Sequence, residues 1–188
     1  MSLAVVNYAL CPKVTMEEIV QQMLRASRWL WLHAEDFGMD QDRLYVGGHS
    51  AGGHLTAMLM CALYSVLDPA LPKDLWKGGL AISGLYDLRP LVQVDFLQPD
   101  LRLDEASALK LSPAFMAPAT RAPVMTCVGG DESSEFLRQN GLIRERWRAA
   151  FAGDIPMPGR NHFSVLDGLA DQSSALFAGA RRLMKLDK

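Results

Sequence analysis

Gly48-His49-Ser50-Ala51-Gly52 is a G-x-S-x-G pattern. Its spacing suits a serine held on a sharp, strained turn between a strand and a helix, where small neighbours let the two backbones approach closely. Gly48, Gly52 and Gly53 supply that room. A helix opening directly after Ser50 favours a developing negative charge, and the Ala51 N–H is placed to donate to it as part of an oxyanion hole. The plainer reading of the same residues is a serine N-cap in a glycine-rich turn.

A serine alcohol is a weak nucleophile and needs a base, and the base needs an orienting carboxylate. Behind a nucleophile elbow the partners follow in the order acid, then histidine. His162, in GRNHF, is the one histidine beyond His54, and it sits just before a helix; a surface loop histidine is the bland alternative. The acid candidate is Asp131, in VGGDESSEF, because loops at the carboxyl ends of strands collect functional groups. Capping the next helix is its ordinary alternative role. Asp87 and the neighbouring Glu132 compete, and Asp131 is preferred. His49 reads as pointing toward the core, His54 as one turn into a helix, and His33 as a packing residue. No residue spacing suits a metal, and the chemistry calls for no cofactor.

These residues need strands and helices to position them. Leu3 to Tyr8 reads as a short buried strand, and Thr15 with Glu18 forms a capping-box pattern opening a helix to about Asp36. Gly38 closes it. Arg43 to Gly48 is the next strand, followed by a helix from Ala51 to about Leu67. Gly78 to Ser83 makes a third strand. The proline-rich stretch from Gly84 to Pro123 is irregular apart from a helix near Asp104 to Lys110. Val124 to Val128 is a strand, Ser133 to Ala150 a helix, Asp154 to Met157 a weak strand, and Ser164 to Leu186 a final helix. This alternation predicts an α/β fold with a parallel sheet.

Composition sets the outer limits. The chain has 188 residues, the size of a single domain spanning 1–188. Nineteen basic and twenty-one acidic residues leave a net charge of −2, so nothing steers the protein to nucleic acid or anionic membranes. Apolar residues counted with glycine and without tyrosine make up about 55% of the chain against the usual ~45–50%, which excludes disorder and suggests elements covered on both faces. Cys11, Cys61 and Cys127 are widely spaced and form neither a zinc site nor a disulfide framework. With no cationic leader and no apolar run of ~20 residues, a cytoplasmic location is expected.

GHSAGGHL, SGLYDLRPL, SPAFMAP, VGGDESSEFLRQ and PGRNHFSVLD together resemble the α/β-hydrolase esterase/lipase group, and within it the arylformamidase (kynurenine formamidase)-like branch. The resemblance implies a three-layer sandwich with a mostly parallel sheet. It also implies Ser50 as nucleophile, Asp131 as acid and His162 as base, acting without cofactor on an N-formyl aryl amide or small carboxylic ester. The segment from Leu85 to Leu103, with Tyr86, Phe96 and Leu97, is expected to line part of the substrate pocket. Members of the group carry three further strands and an H-G-G-type loop before the segment matched by Leu3 to Tyr8. The sheet is therefore expected to lack its first three strands, leaving unpaired edges that favour self-association. The competing reading is an impaired fragment acting as an interaction module.

Overall fold

The computed structural model describes residues 1–186, and its sheet is built from four short strands. Strand β1 (Val46–His49), β2 (Gly79–Ile82), β3 (Val124–Gly129) and β4 (Phe151–Met157) lie side by side in chain order, each parallel to the next. Parallel neighbours demand crossovers, and helices make them. Helix α1 (Met16–Leu32) precedes β1, while α2 (Ala51–Met60) and α3 (Tyr64–Leu67) follow it. The path from β2 to β3 holds the short α4 (Gln98–Leu101) and α5 (Glu105–Lys110) and two 3₁₀ turns, Arg89–Gln93 and Pro113–Phe115. Helix α6 (Ser134–Arg146) joins β3 to β4, and α7 (Asp167–Ala170) and α8 (Ala175–Leu183) close the chain.

Both faces of the sheet are covered, as the high apolar content requires. On one face Leu80, Ile82, Met125, Cys127, Ile155 and Met157 pack with Leu176, Ala180 and Leu183 of α8. On the other, Ala81 and Val124 meet Ala57, Leu59 and Met60 of α2, together with Ile143 and Trp147. Period-two alternation thus sends successive β2 and β3 residues to opposite helical layers. A third cluster, of Val20, Leu55, Met58, Leu88, Leu103 and Leu111, seats α1 and the irregular 88–111 segment on α2.

Several boundaries differ from expectation for local reasons. Leu3 to Tyr8 is not a strand; Leu3 and Val5 are 83% and 86% exposed. A strand exists through pairing, and this segment has no neighbour to pair with. The Thr15 hydroxyl does accept the Glu18 N–H at 3.1 Å, so α1 begins where its cap predicts, but it ends at Leu32, before a tight turn closed by Gly38 at φ 65°. The helix expected over 51–67 divides after Met60, and the one expected over 164–186 divides around Asp171 to Ser174. Asp104 caps α5 through a reciprocal bond pair with Ser107.

Candidate active site

Ser50 sits between β1 and α2 with φ 57° and ψ −116°, a backbone conformation that side chains seldom adopt. Its neighbours show why the motif needs glycine. A Cβ on Gly48 would lie 2.5 Å from the Gly52 carbonyl, and one on Gly53 would lie 2.7 Å from Gly84 Cα. The strand, the turn and the helix therefore fold back on one another with no space for a methyl group. The Ser50 N–H donates to the Ile82 carbonyl at 2.9 Å, which ties the turn to the end of β2. Ala51 opens α2, so its N–H belongs to the first-turn amides that have no intrahelical acceptor.

From the far end of the chain, the loop after β4 brings His162 to the serine: its Nε2 lies 3.0 Å from Ser50 Oγ. The imidazole Nδ1 lies 2.7 Å from Glu132 Oε2. Since a carboxylate only accepts, Nδ1 carries the proton and Nε2 is free to take one from the hydroxyl. The Glu132 side chain is completely buried and that of His162 is 23% exposed. The second Glu132 oxygen accepts from Ser83 Oγ at 2.5 Å and from the Gly129 N–H at 2.8 Å. Those two donors hold the carboxylate so that only Oε2 faces the imidazole.

The expected acid, Asp131, is therefore corrected: the structure brings Glu132 to His162 and leaves Asp131 exposed to solvent. The reason lies in the turn after β3. Its closure by the Glu132 N–H on the Gly129 carbonyl, with the side chain returning to the Gly129 N–H, curls Glu132 inward. Asp131 points away, its own N–H donating to the Arg160 carbonyl at 3.0 Å. The competitor Asp87 is committed elsewhere, to Arg89 at 2.9 and 3.0 Å and to Arg138 at 3.6 Å. The Arg89 hydrogen bonds, with Arg138 adding to them, hold its carboxyl below the usual carboxylate range.

The three expected pocket residues fall in unlike settings. Tyr86 is fully buried in the core cluster, its ring lying over Gly84 behind the elbow. Phe96 is 80% exposed, and Leu97 is a half-buried residue capping α4. The aromatic rings that do flank His162 are Phe136, 4.4 Å away between centroids, and Phe163, at 5.5 Å edge-on. His54 is buried and donates from Nε2 to the Leu111 carbonyl at 2.8 Å, and burial keeps its pKa down. His49 does not simply enter the core; its Nε2 reaches the His162 carbonyl at 2.7 Å. The contacts of Ser83 with Glu132 and of His49 with His162, across 49 and 113 residues, belong to no sequence motif that announces them. Among the described residues, no group of three or more His, Cys, Asp or Glu is arranged to hold a metal, and no helix is long and apolar enough to cross a membrane.

An elbow serine on a parallel sheet, backed on both faces by helices, defines an α/β hydrolase, and comparison agrees. The chain belongs to the alpha/beta hydrolase fold family Abhydrolase_3, whose model matches residues 1–127. It is similar to kynurenine formamidase of Danio rerio, 29% identical over 182 residues, covering 91% of this chain and 58% of that protein. A solved protein of Silicibacter sp. TM1040, provisionally described as a thioesterase, is 33% identical with a TM-score of 0.75, covering 91% of this chain and 60% of that one. The carboxylesterase EstE1 from a metagenomic library superposes with a TM-score of 0.66 at 21% identity, over 95% of this chain and 64% of that one, a likeness of fold. The chain thus shares the fold of these relatives and spans under two thirds of their length.

Proposed function

We propose that this protein is a serine hydrolase acting on a small carboxylic ester or an N-formyl aryl amide. The observation that carries the reading is the unbroken chain from Ser50 Oγ through His162 Nε2 and Nδ1 to Glu132 Oε2, at 3.0 and 2.7 Å. Ser50 attacks the substrate carbonyl as its hydroxyl proton passes to His162 Nε2. The buried Glu132 carboxylate stabilises the imidazolium so formed and keeps its proton on Nδ1. The oxyanion accepts a hydrogen bond from the Ala51 N–H at the start of α2. Collapse of this intermediate hands the proton from His162 to the leaving amine or alcohol and leaves an acyl- or formyl-serine. Water, deprotonated by His162 in the same way, then releases the acid and restores Ser50.

The formamidase relatives argue for the amide substrate, and the rings of Phe136 and Phe163 beside His162 offer apolar contact to an aryl leaving group. A fluorophosphonate probe tests the mechanism directly. It should label the protein at Ser50, and Ser50→Ala should abolish both labelling and p-nitrophenyl acetate hydrolysis without unfolding the chain. An alanine variant that retained most of the hydrolysis would remove Ser50 from the mechanism. A folded wild-type chain that never labels would favour the alternative, a non-catalytic interaction module.

A further inference from the structure

His49 is the last residue of β1 and the immediate neighbour of Ser50, and its side chain reaches the loop that carries His162. Its Nε2 lies 2.7 Å from the His162 carbonyl oxygen. A carbonyl only accepts, so the His49 proton resides on Nε2. The two imidazole rings lie 4.5 Å apart at 42°, and Phe136 packs against the other ring at 4.4 Å. Three successive carbonyls of the loop are held in turn. That of Arg160 accepts from the Asp131 N–H, that of Asn161 from the Val165 N–H, and that of His162 from His49. Of these three, the His49 bond is the one that reaches the nucleophile strand.

We infer that His49 is a positioning residue for the reaction proposed above: its Nε2–H clamps the His162 backbone and thereby sets the reach of the imidazole to Ser50. Serine and base lie 112 residues apart in the sequence on different loops, and a displacement of about 1 Å between reacting groups can cost about 10² in rate. Residues 49 and 50 are joined by one peptide, so a bond from His49 to the His162 carbonyl closes a short ring of fixed geometry around the reacting pair. The clamp suits a neutral imidazole. Burial, with the His162 ring adding to it, holds His49 below the ordinary histidine range, against the opposing pull of its own bond to the His162 carbonyl and of the Glu132 carboxylate. A proton on His49 would set a cation beside the ring that must itself become cationic during turnover.

The test compares His49→Phe, which keeps a ring but no donor, with His49→Gln, whose amide N–H can reach the same carbonyl. His49→Phe should lose about 10- to 100-fold in kcat with KM little changed, and His49→Gln should recover most of it. Imidazole ¹⁵N spectra read the clamp without turnover and should show His49 as the Nε2–H tautomer, with the His162 ring signals shifted in His49→Phe. A His49→Phe protein with wild-type kcat and unshifted His162 signals would overturn the inference, as would a folded His49→Gln no better than His49→Phe. If the wild type proved inactive while the spectra behaved as expected, the hydrolase reading would fail and the clamp would stand.

Discussion

Replacing Glu132 by glutamine keeps the volume of the side chain and changes what faces the imidazole. The Ser83 hydroxyl and the Gly129 N–H both donate to the inner oxygen, so the amide must present its carbonyl to them and its NH₂ to His162. Nδ1 can then only accept, and the imidazole proton is forced onto Nε2, opposite Ser50. The base is lost by tautomer while every heavy atom stays in place. The carboxylate that would stabilise the imidazolium is lost as well, from a position with no solvent exposure to screen it. A wrong tautomer of this kind costs about 10⁴ in kcat, or about 5.5 kcal/mol of transition-state stabilisation. Initial rates on p-nitrophenyl acetate for the wild type, Glu132→Gln and Asp131→Asn, with thermal unfolding as a control, give the answer. We expect a drop near 10⁴ for Glu132→Gln and a change within about twofold for Asp131→Asn, since the Asp131 carboxylate is exposed and screened by solvent and salt. The reverse order of effects would refute the geometry argued here.

Two other outcomes follow from different parts of the fold. Below about pH 6.5 the unfolded chain protonates His54, whereas burial keeps it neutral in the native state, so the unfolded state binds more protons there. Stability should therefore be full above that pH and fall by up to ~1.4 kcal/mol per pH unit below it; urea titrations of wild type and His54→Gln between pH 5 and 7.5 should show a shallower loss in the variant. We also expect self-association, because β1 is an edge strand in the sheet and Leu3 and Val5 stand exposed beside no partner strand. Light scattering that found only monomer at every concentration would contradict this.

Much of this protein can be read along the chain because much of it is local. The serine elbow is legible since its demands, a strained residue and the glycines at Gly48 and Gly53, fall within six residues. Helix starts at Thr15 and Asp104 are legible for the same reason, as a cap and its partner are three residues apart. The parallel sheet follows from alternating apolar strands and helices, and His162 from being the one histidine in the right half of the chain. The segment over Leu3 to Tyr8 misleads because apolar residues specify a capacity to pair, while pairing itself depends on a neighbour from elsewhere.

The choice between Asp131 and Glu132 is the part that local reasoning reaches but cannot decide. Both carboxylates follow β3, one residue apart, and either could face the histidine. What separates them is the way the Gly129 turn closes, and the contact of that turn with Ser83 from β2's end and His162 from beyond β4. The same holds for His49, whose partner lies 113 residues downstream. Residue types and short spacings are set by the chain itself and announce a nucleophile. Which side chain meets which across a parallel sheet is set by strand order and loop curvature, and these exist only once the distant segments have packed together.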